Sequence, residues 1–367
     1  MDMKKNICHI VNGFHVGGLE KVIVNSINSL GDNYCHTIIS LTTSGSIVKQ
    51  LNGTVEVINL DCKKLSSIKK HTLMYKVLKN LSPDVLHTYN LGTVEFQIVG
   101  WILGINTRLH AEHGRDINDP TGSNYKYKFI RKFCSLFTHK VVAVSHDLYD
   151  WLSSDVGISP SKVIKIVNGI DVTNFSSNEK NTDLIETNEF VIGHVARLDK
   201  IKNQKMLING FFIACSMDDD FMANSKLIIV GDGSEKNNLL EISRSNKALS
   251  EKVSFVGEIE NVKKVYMDFD VFSLTSLAEG IPMTLLESMS MGIPHVVTQV
   301  GGINEVTISG VTGLNIPSED EDNLAAAFIS LFRDKNKCYS MGEAARNRIC
   351  ESFSQEIMIE EYKKLYN

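Results

Sequence analysis

The feature that most constrains this chain is an alternation along its whole length. Short apolar, β-rich runs are separated by segments of helical period. In the first half the predicted strands are 6–11, 36–41, 55–60, 84–88, 108–112, 140–144 and 162–167, with helices predicted over 19–30, 69–81 and 125–137. Strands apolar on both faces that alternate with helices make parallel βαβ units, and the helices cover both faces of the sheet. A polar stretch, 173–189, has few large apolar residues and reads as a linker. The alternation then restarts, with strands predicted at 190–195, 226–230, 253–256, 271–274 and 295–297, and closes on an amphipathic helix over 354–366. The expectation is an α/β chain of two doubly wound domains, 1–172 and 188–353. A ligand is expected in the cleft between them, at strand C-terminal ends. A length of 367 residues allows each domain its own core.

Composition excludes several function classes. The chain is 43% hydrophobic and 22% charged, as in ordinary soluble globular proteins. A formal charge of -5 leaves no basic excess for a general nucleic-acid binder. The seven cysteines are scattered with no C-x-x-C pair, which suits a reducing cytoplasm better than a zinc site or a disulfide framework. The N-terminal apolar run is too short for a signal peptide, and the stretch 98–105 is well short of a membrane span. The expected location is the cytoplasm.

Chemistry concentrates after predicted strands. Glu279 and Glu287 are separated by seven residues; the first follows an apolar strand, and the second sits on the helix behind it. Between them Gly280 and Pro282 make a turn, so unpaired N–H groups at a helix start can meet phosphate. Arg197 closes the first strand of the second domain and Lys202 lies in the loop beyond, two cations suited to a diphosphate. Gly17 and Gly18 let backbone approach a ligand at the first helix start, without the dinucleotide fingerprint. His113 ends a strand and is followed by Gly114, so it can point into a cleft and exchange a proton. Gly231 and Gly233 end one strand of the second domain, and Val256 with Gly257 ends another, where backbone can meet a flat base. Asp218, Asp219 and Asp220 look like an acidic metal motif but fall in a predicted polar loop, so no metal is expected. The stretch 125–133 interleaves lysines and aromatics. On a helix it either lies on an anionic membrane or is partly buried with its lysines in water.

Taken together these residues resemble the retaining GT-B glycosyltransferases of family 4, which include bacterial lipopolysaccharide, capsule and O-antigen transferases. The resemblance rests on the glutamate pair and on further stretches in matching order. These are 16–20, 83–87, 112–114, 142–145, 167–171, Arg197 with Lys202, 230–233, and 301–305 with Gly313. It implies two Rossmann-like domains facing across a cleft, an acceptor side formed by the first domain with the helix 354–367, and a nucleotide-sugar side formed by the second. It implies that Arg197 and Lys202 hold the donor diphosphate, that Glu287 binds ribose, and that Gly231 and Val256 line the donor nucleotide. Glu279 with the N–H groups of Gly280, Met283, Thr284 and Leu285 would grip sugar and phosphate. His113 would lie near the reacting carbon, and Gly17 and Gly18 would line the diphosphate. Ala196 stands where the family commonly has glycine. Met283 occupies a position that varies with the donor sugar.

The implied reaction moves a hexose or N-acetylhexosamine from a nucleotide-diphosphate sugar, UDP foremost, to a hydroxyl of a lipid-linked glycan. It implies retention, no metal or other cofactor, peripheral contact with the inner membrane surface, and no nucleic-acid partner. The alternatives are a nucleotide-sugar 2-epimerase, which does not need the glutamate pair in this form, and a non-catalytic sugar-nucleotide-binding subunit. The second would have no reason to keep Glu279, Glu287, Arg197, Lys202 and His113 together.

Overall fold

The structure is a computed structural model and describes residues 4–116, 118–176, 189–259 and 261–367. The chain forms two compact units, Met1–Asn168 with Gln355–Asn367, and Gly169–Ser354. The expected boundary at 172 therefore shifts to Asn168. Of the expected linker, 177–188 lies outside the described residues. Phe175 belongs to the second unit, where its carbonyl accepts from Ser290 Oγ at 2.7 Å.

The first unit runs β1 (Lys5–Val11), α1 (Gly18–Leu30), β2 (Tyr34–Ser40), β3 (Glu56–Asn59), α2 (Ser67–Leu81), β4 (Val85–Tyr89), α3 (Phe96–Ile102), β5 (Thr107–Glu112), α4 (Tyr125–Ser135), β6 (Lys140–Ala143), α5 (His146–Asp150) and β7 (Val163–Lys165). The strands form one parallel sheet in the order β3-β2-β1-β4-β5-β6-β7. Strand order reverses between β1 and β4, so their C-terminal ends open a crevice that neither connection crosses. One face packs Cys8, Ile10, Leu86 and Ile39 against Met74 and Leu78 of α2 and Phe96 and Val99 of α3.

The second unit runs β8 (Phe190–Val195), α6 (Gln204–Met217), α7 (Asp219–Asn224), β9 (Ser225–Val230), α8 (Lys236–Ser245), β10 (Val253–Gly257), α9 (Val262–Tyr266), β11 (Val271–Leu274), α10 (Met283–Ser290), β12 (His295–Thr298), α11 (Ile303–Val306), β13 (Gly313–Ile316), α12 (Glu321–Arg333) and α13 (Lys335–Ser352). Its parallel sheet has the order β10-β9-β8-β11-β12-β13, again reversing at its middle, between β8 and β11. Ile192, Leu227, Ile229, Val271 and Val296 pack against Leu207 and Phe211 of α6 and Leu324 and Phe328 of α12. Each such side chain contributes roughly 1.5–3 kcal/mol by leaving water.

The last helix, α14 (Gln355–Tyr366), belongs to the first unit. Its buried residues, Met358, Ile359, Tyr362 and Tyr366, recur at helical spacing on one stripe. The sheet face they meet is polar rather than aliphatic. Tyr366 Oη lies 3.0 Å from His87 Nδ1, which is also 3.0 Å from Tyr89 Oη. His9 Nδ1 lies 2.8 Å from the same tyrosine oxygen, and its Nε2 lies 3.0 Å from His36 Nδ1.

The acidic run 218–220 is a helix start rather than the expected loop. Asp218 caps α7 by accepting from the N–H groups of Asp220 and Phe221, and it receives two bonds from Arg333, at 2.7 and 2.9 Å. A short polar side chain that satisfies the orphan amides of a first turn is a capping residue.

Candidate active site

In the second unit the expected residues gather at the β8/β11 reversal. Arg197 follows β8 and Lys202 ends a single 3-10 turn, Lys200–Lys202, that Asp199 caps. Lys202 Nζ donates to Glu279 Oε1 at 2.5 Å, and Ser276 Oγ donates to the same oxygen at 2.6 Å. Two residues expected to act separately, one on phosphate and one on sugar, are thus one half-buried ion pair across the crevice. Arg197 Nε donates to Asp199 Oδ2 at 2.6 Å while its side chain is 61% exposed. Asp199 and Ser276 were not legible as site residues, because a carboxylate two positions from an arginine is usually a solvated pair.

The strand ends are tied from below. His194, buried in β8, lies with Nδ1 2.8 Å from the Ser273 carbonyl of β11 and Nε2 3.2 Å from Gln204 Nε2. Burial is the main reason its pKa falls to about 4; the carbonyl opposes the shift and Lys202 adds to it. A neutral imidazole here joins the two central strands without adding charge beside the cations.

Glycines set the loop positions. A Cβ on Gly231 would lie 2.0 Å from the Ala196 carbonyl oxygen, and Gly231 has φ +136. Gly231 is therefore required by close packing against the residue before Arg197. The same reason applies at Gly301, whose added Cβ would lie 2.0 Å from the Glu279 carbonyl oxygen at φ +50. Val256 is 47% exposed on the edge strand β10, and the Gly257 carbonyl accepts from Gly231 N–H at 2.8 Å. This presents an apolar side chain beside the β9 loop.

At the helix start behind Glu279, Leu285 N–H donates to the Pro282 carbonyl at 3.1 Å, inside the first turn. Met283 and Thr284 supply the N–H groups at the start of α10 that no described residue accepts. Glu287 is only 1% exposed and accepts from Tyr266 Oη at 2.8 Å. Tyr266 also donates to the Thr284 carbonyl at 3.2 Å, so it ties α9 to both turns of α10.

In the first unit Gly17 and Gly18 lie beyond the end of β1, at the β1/β4 reversal, and His113 lies at the end of β5, next to β4. Gly17 caps α1 in an extended conformation, its carbonyl accepting from Lys21 N–H, and Gly18 begins the helix. His113 follows β5, and its N–H donates to Asn90 Oδ1 at 2.8 Å. Asn90 takes φ +56 just after β4, which turns its side chain back onto the neighbouring strand end. Both ring nitrogens of His113 are out of solvent and lack a partner among the described residues. Burial is the main reason its pKa drops to about 3; Glu112 opposes the drop and His110 adds to it. A buried, unpartnered imidazole at a strand end is ready to receive a polar ligand atom.

Behind it Glu112 is fully buried. It accepts from Arg131 Nε at 2.6 Å and Nη2 at 3.2 Å, and lies 3.1 Å from His110 Nε2. Burial pushes this carboxyl up, but Arg131 and His110 outweigh it and hold it near 2. The network fixes the residue before His113, and only its first member, Glu112, fell within a motif. Among the described residues no group of His, Cys, Asp or Glu could hold a metal ion.

Both halves of the chain match known protein families. Residues 16–174 match the model described as Glycosyltransferase Family 4, and residues 175–348 match that described as Glycosyl transferases group 1. A UDP-Gal:alpha-D-GlcNAc-diphosphoundecaprenol alpha-1,3-galactosyltransferase of Escherichia coli is 24% identical over 377 residues, covering 99% of this chain and 97% of the relative. A Campylobacter jejuni enzyme, GalNAc-alpha-(1->4)-GalNAc-alpha-(1->3)-diNAcBac-PP-undecaprenol alpha-1,4-N-acetyl-D-galactosaminyltransferase, is 26% identical, covering 98% of this chain and 97% of its own. Among solved structures, Anabaena HepE in complex with UDP and glucose superposes with a TM-score of 0.83 at 20% identity, covering 98% of each chain. That likeness is one of fold. Both halves match glycosyltransferase models and both sheets have the matching architecture, so this chain belongs to the GT-B glycosyltransferases of family 4.

Proposed function

We propose that this glycosyltransferase moves a hexose or N-acetylhexosamine from a UDP-sugar to a hydroxyl of a lipid-linked glycan, with retention at the anomeric carbon. The observation that carries the reading is the Lys202–Glu279 pair beside the start of α10. A diphosphate arriving there would exchange one anionic partner of Lys202 for another and release Glu279 toward the sugar. Arg197 would add a second positive group, and the Met283 and Thr284 N–H groups would complete an anion site. In this reading the cations take the charge of the departing nucleotide without a metal. Val256 would meet the base, Glu287 the ribose, and His113, Gly17 and Gly18 the sugar and diphosphate. No residue is assigned as a nucleophile. The acceptor hydroxyl would attack from the face the nucleotide leaves, and the leaving phosphate would take its proton.

The donor and acceptor classes are supported by the names of the Escherichia coli and Campylobacter jejuni relatives, and UDP also by the HepE complex. The test is transfer from UDP-galactose, UDP-N-acetylglucosamine and UDP-N-acetylgalactosamine to an undecaprenyl-diphosphate-linked sugar, with product configuration read by NMR. An α-linked product from an α-donor is expected. Lys202→Ala and Glu279→Ala should each lower turnover by ~10²–10³ with the fold retained, the scale of losing one group that stabilises transition-state charge. A β-linked product would overturn retention, and near wild-type turnover in both variants would overturn the site.

A further inference from the structure

Glu287 is the one charged residue of α10, and it is buried beside Leu285, Leu286 and Met289. A carboxylate held out of water needs a hydrogen-bond donor. Tyr266, the last residue of α9, supplies one to Glu287 Oε2, and the same hydroxyl reaches the Thr284 carbonyl. Burial first, and the Glu287 carboxylate second, raise the phenol well above its usual pKa. Tyr266 is therefore the donor and Glu287 the acceptor.

The ring that carries this hydroxyl is held without help from Glu287. It is fully buried, and Phe175, Phe269 and Phe272 meet it edge to face at 6.3, 5.8 and 6.1 Å. Close packing of this kind keeps a side chain in one rotamer. A donor fixed on one carboxylate oxygen sets the plane of the whole group, and with it the directions of its lone pairs. The Thr284 contact ties the same hydroxyl to the first turn of α10. One atom thus sets the spacing between that turn and the Glu287 carboxylate.

We propose that Tyr266 is a positioning residue for nucleotide recognition. It aims the Glu287 carboxylate at the ribose hydroxyls and so makes the site select ribonucleotides over deoxyribonucleotides. The inference rests on the placement of Glu287 at the ribose, and it names the residue that makes that placement selective. A tyrosine that only packed would serve every nucleotide alike, because packing does not depend on the ribose hydroxyls.

The test is calorimetric titration of the full chain with UDP and with 2′,3′-dideoxy-UDP, which lacks both ribose hydroxyls. The wild type should bind UDP ~10-fold tighter or more, the scale of hydrogen bonds to a charged group. Tyr266→Phe keeps the ring among its three aromatic neighbours and removes the hydroxyl alone. It should weaken UDP by ~10-fold and leave dideoxy-UDP within about twofold, so that the preference collapses. Equal loss for both ligands, or a preference kept intact, would overturn the proposal alone. Both ligands are titrated into one preparation. A smaller folded fraction then lowers both stoichiometries and leaves the ratio of Kd values unchanged. The double variant with Glu287→Gln is a second measure, since it strands no buried charge. It should bind UDP no more weakly than Glu287→Gln alone, as two residues acting through one contact must. Additive losses would overturn the proposal. A wild type that binds both ligands equally, or neither, would overturn the ribose reading and the proposal with it.

Discussion

At the scale of single residues, the chain places charge where it can be neutralised and leaves it poised where a ligand arrives. Arg131 and Glu112 are both buried, and each satisfies the other. Arg131→Met should cost about 3–5 kcal/mol, because it strands a buried carboxylate. The double variant with Glu112→Leu should recover most of that loss. Both tryptophans, Trp101 and Trp151, lie in the first unit, and Trp151 lies 5.0 Å under the Arg131 guanidinium. Tryptophan fluorescence in a urea titration therefore reports this unit. A single variant within about 0.5 kcal/mol of wild type, the usual range for an inconsequential surface change, would refute the role given to the pair. The sequence offered Glu112 as part of a motif, but Arg131 looked like one more cation in a basic helix. Nothing in its local spacing says that it faces inward.

At the scale of elements, the β/α alternation was legible because both kinds of element carry their own period. The predicted strand at 190–195 coincides with β8, and that at 271–274 with β11. β13 was missed because Gly313-Leu-Asn-Ile316 has one side chain of strong β character. Gly313 is there because a Cβ would lie 2.4 Å from the His295 carbonyl oxygen, a constraint of the paired strand. α3 read only as an apolar stretch, since a run with few polar residues shows no face. The helix predicted at the C-terminus was legible, but not what it packs on. A chain ending at Ser354 loses Tyr362 and Tyr366 from the His87 layer. Amide exchange in β1 and β4 should then quicken by ~10-fold or more, as protection follows local opening. Unchanged exchange there would mean that α14 is dispensable to this sheet.

At the scale of the whole molecule, buried histidines set the response to acid. Burial is the first cause that lowers the pKa of His9 and His87 far below the ordinary value, of His36 and His194 to about 4, and of His113 and His295 to about 3. Each is neutral when folded and protonates near 6.5 when unfolded. Below that pH the unfolded chain binds more protons, so stability is full above it and is lost as pH falls toward 4. Glu112, held near 2 against a reference of 4.5, adds a further loss below 4.5. Asp268 acts in the opposite sense, since burial raises it from 3.8 to about 6, but it is one group against six. The melting temperature should fall steadily from pH 7 to pH 4.5 by scanning calorimetry, over several steps of about half a unit. A flat profile would show that these imidazoles gain partners on protonation.

The sequence by itself determined that there are two parallel sheets and that strand ends carry glycines, cations and carboxylates. Period and turn chemistry are local and survive in one dimension. It also placed Lys202 and Glu279 among the residues that matter, seventy-seven positions apart. Only the tertiary structure decided that these two are one ion pair, that Leu285 spends its N–H inside its helix, and that Gly231 and Gly301 pack against neighbouring carbonyls. Those facts depend on which strands the order reversal sets side by side. Pairing between distant strands is fixed by packing across the whole sheet, and no short window of sequence records it.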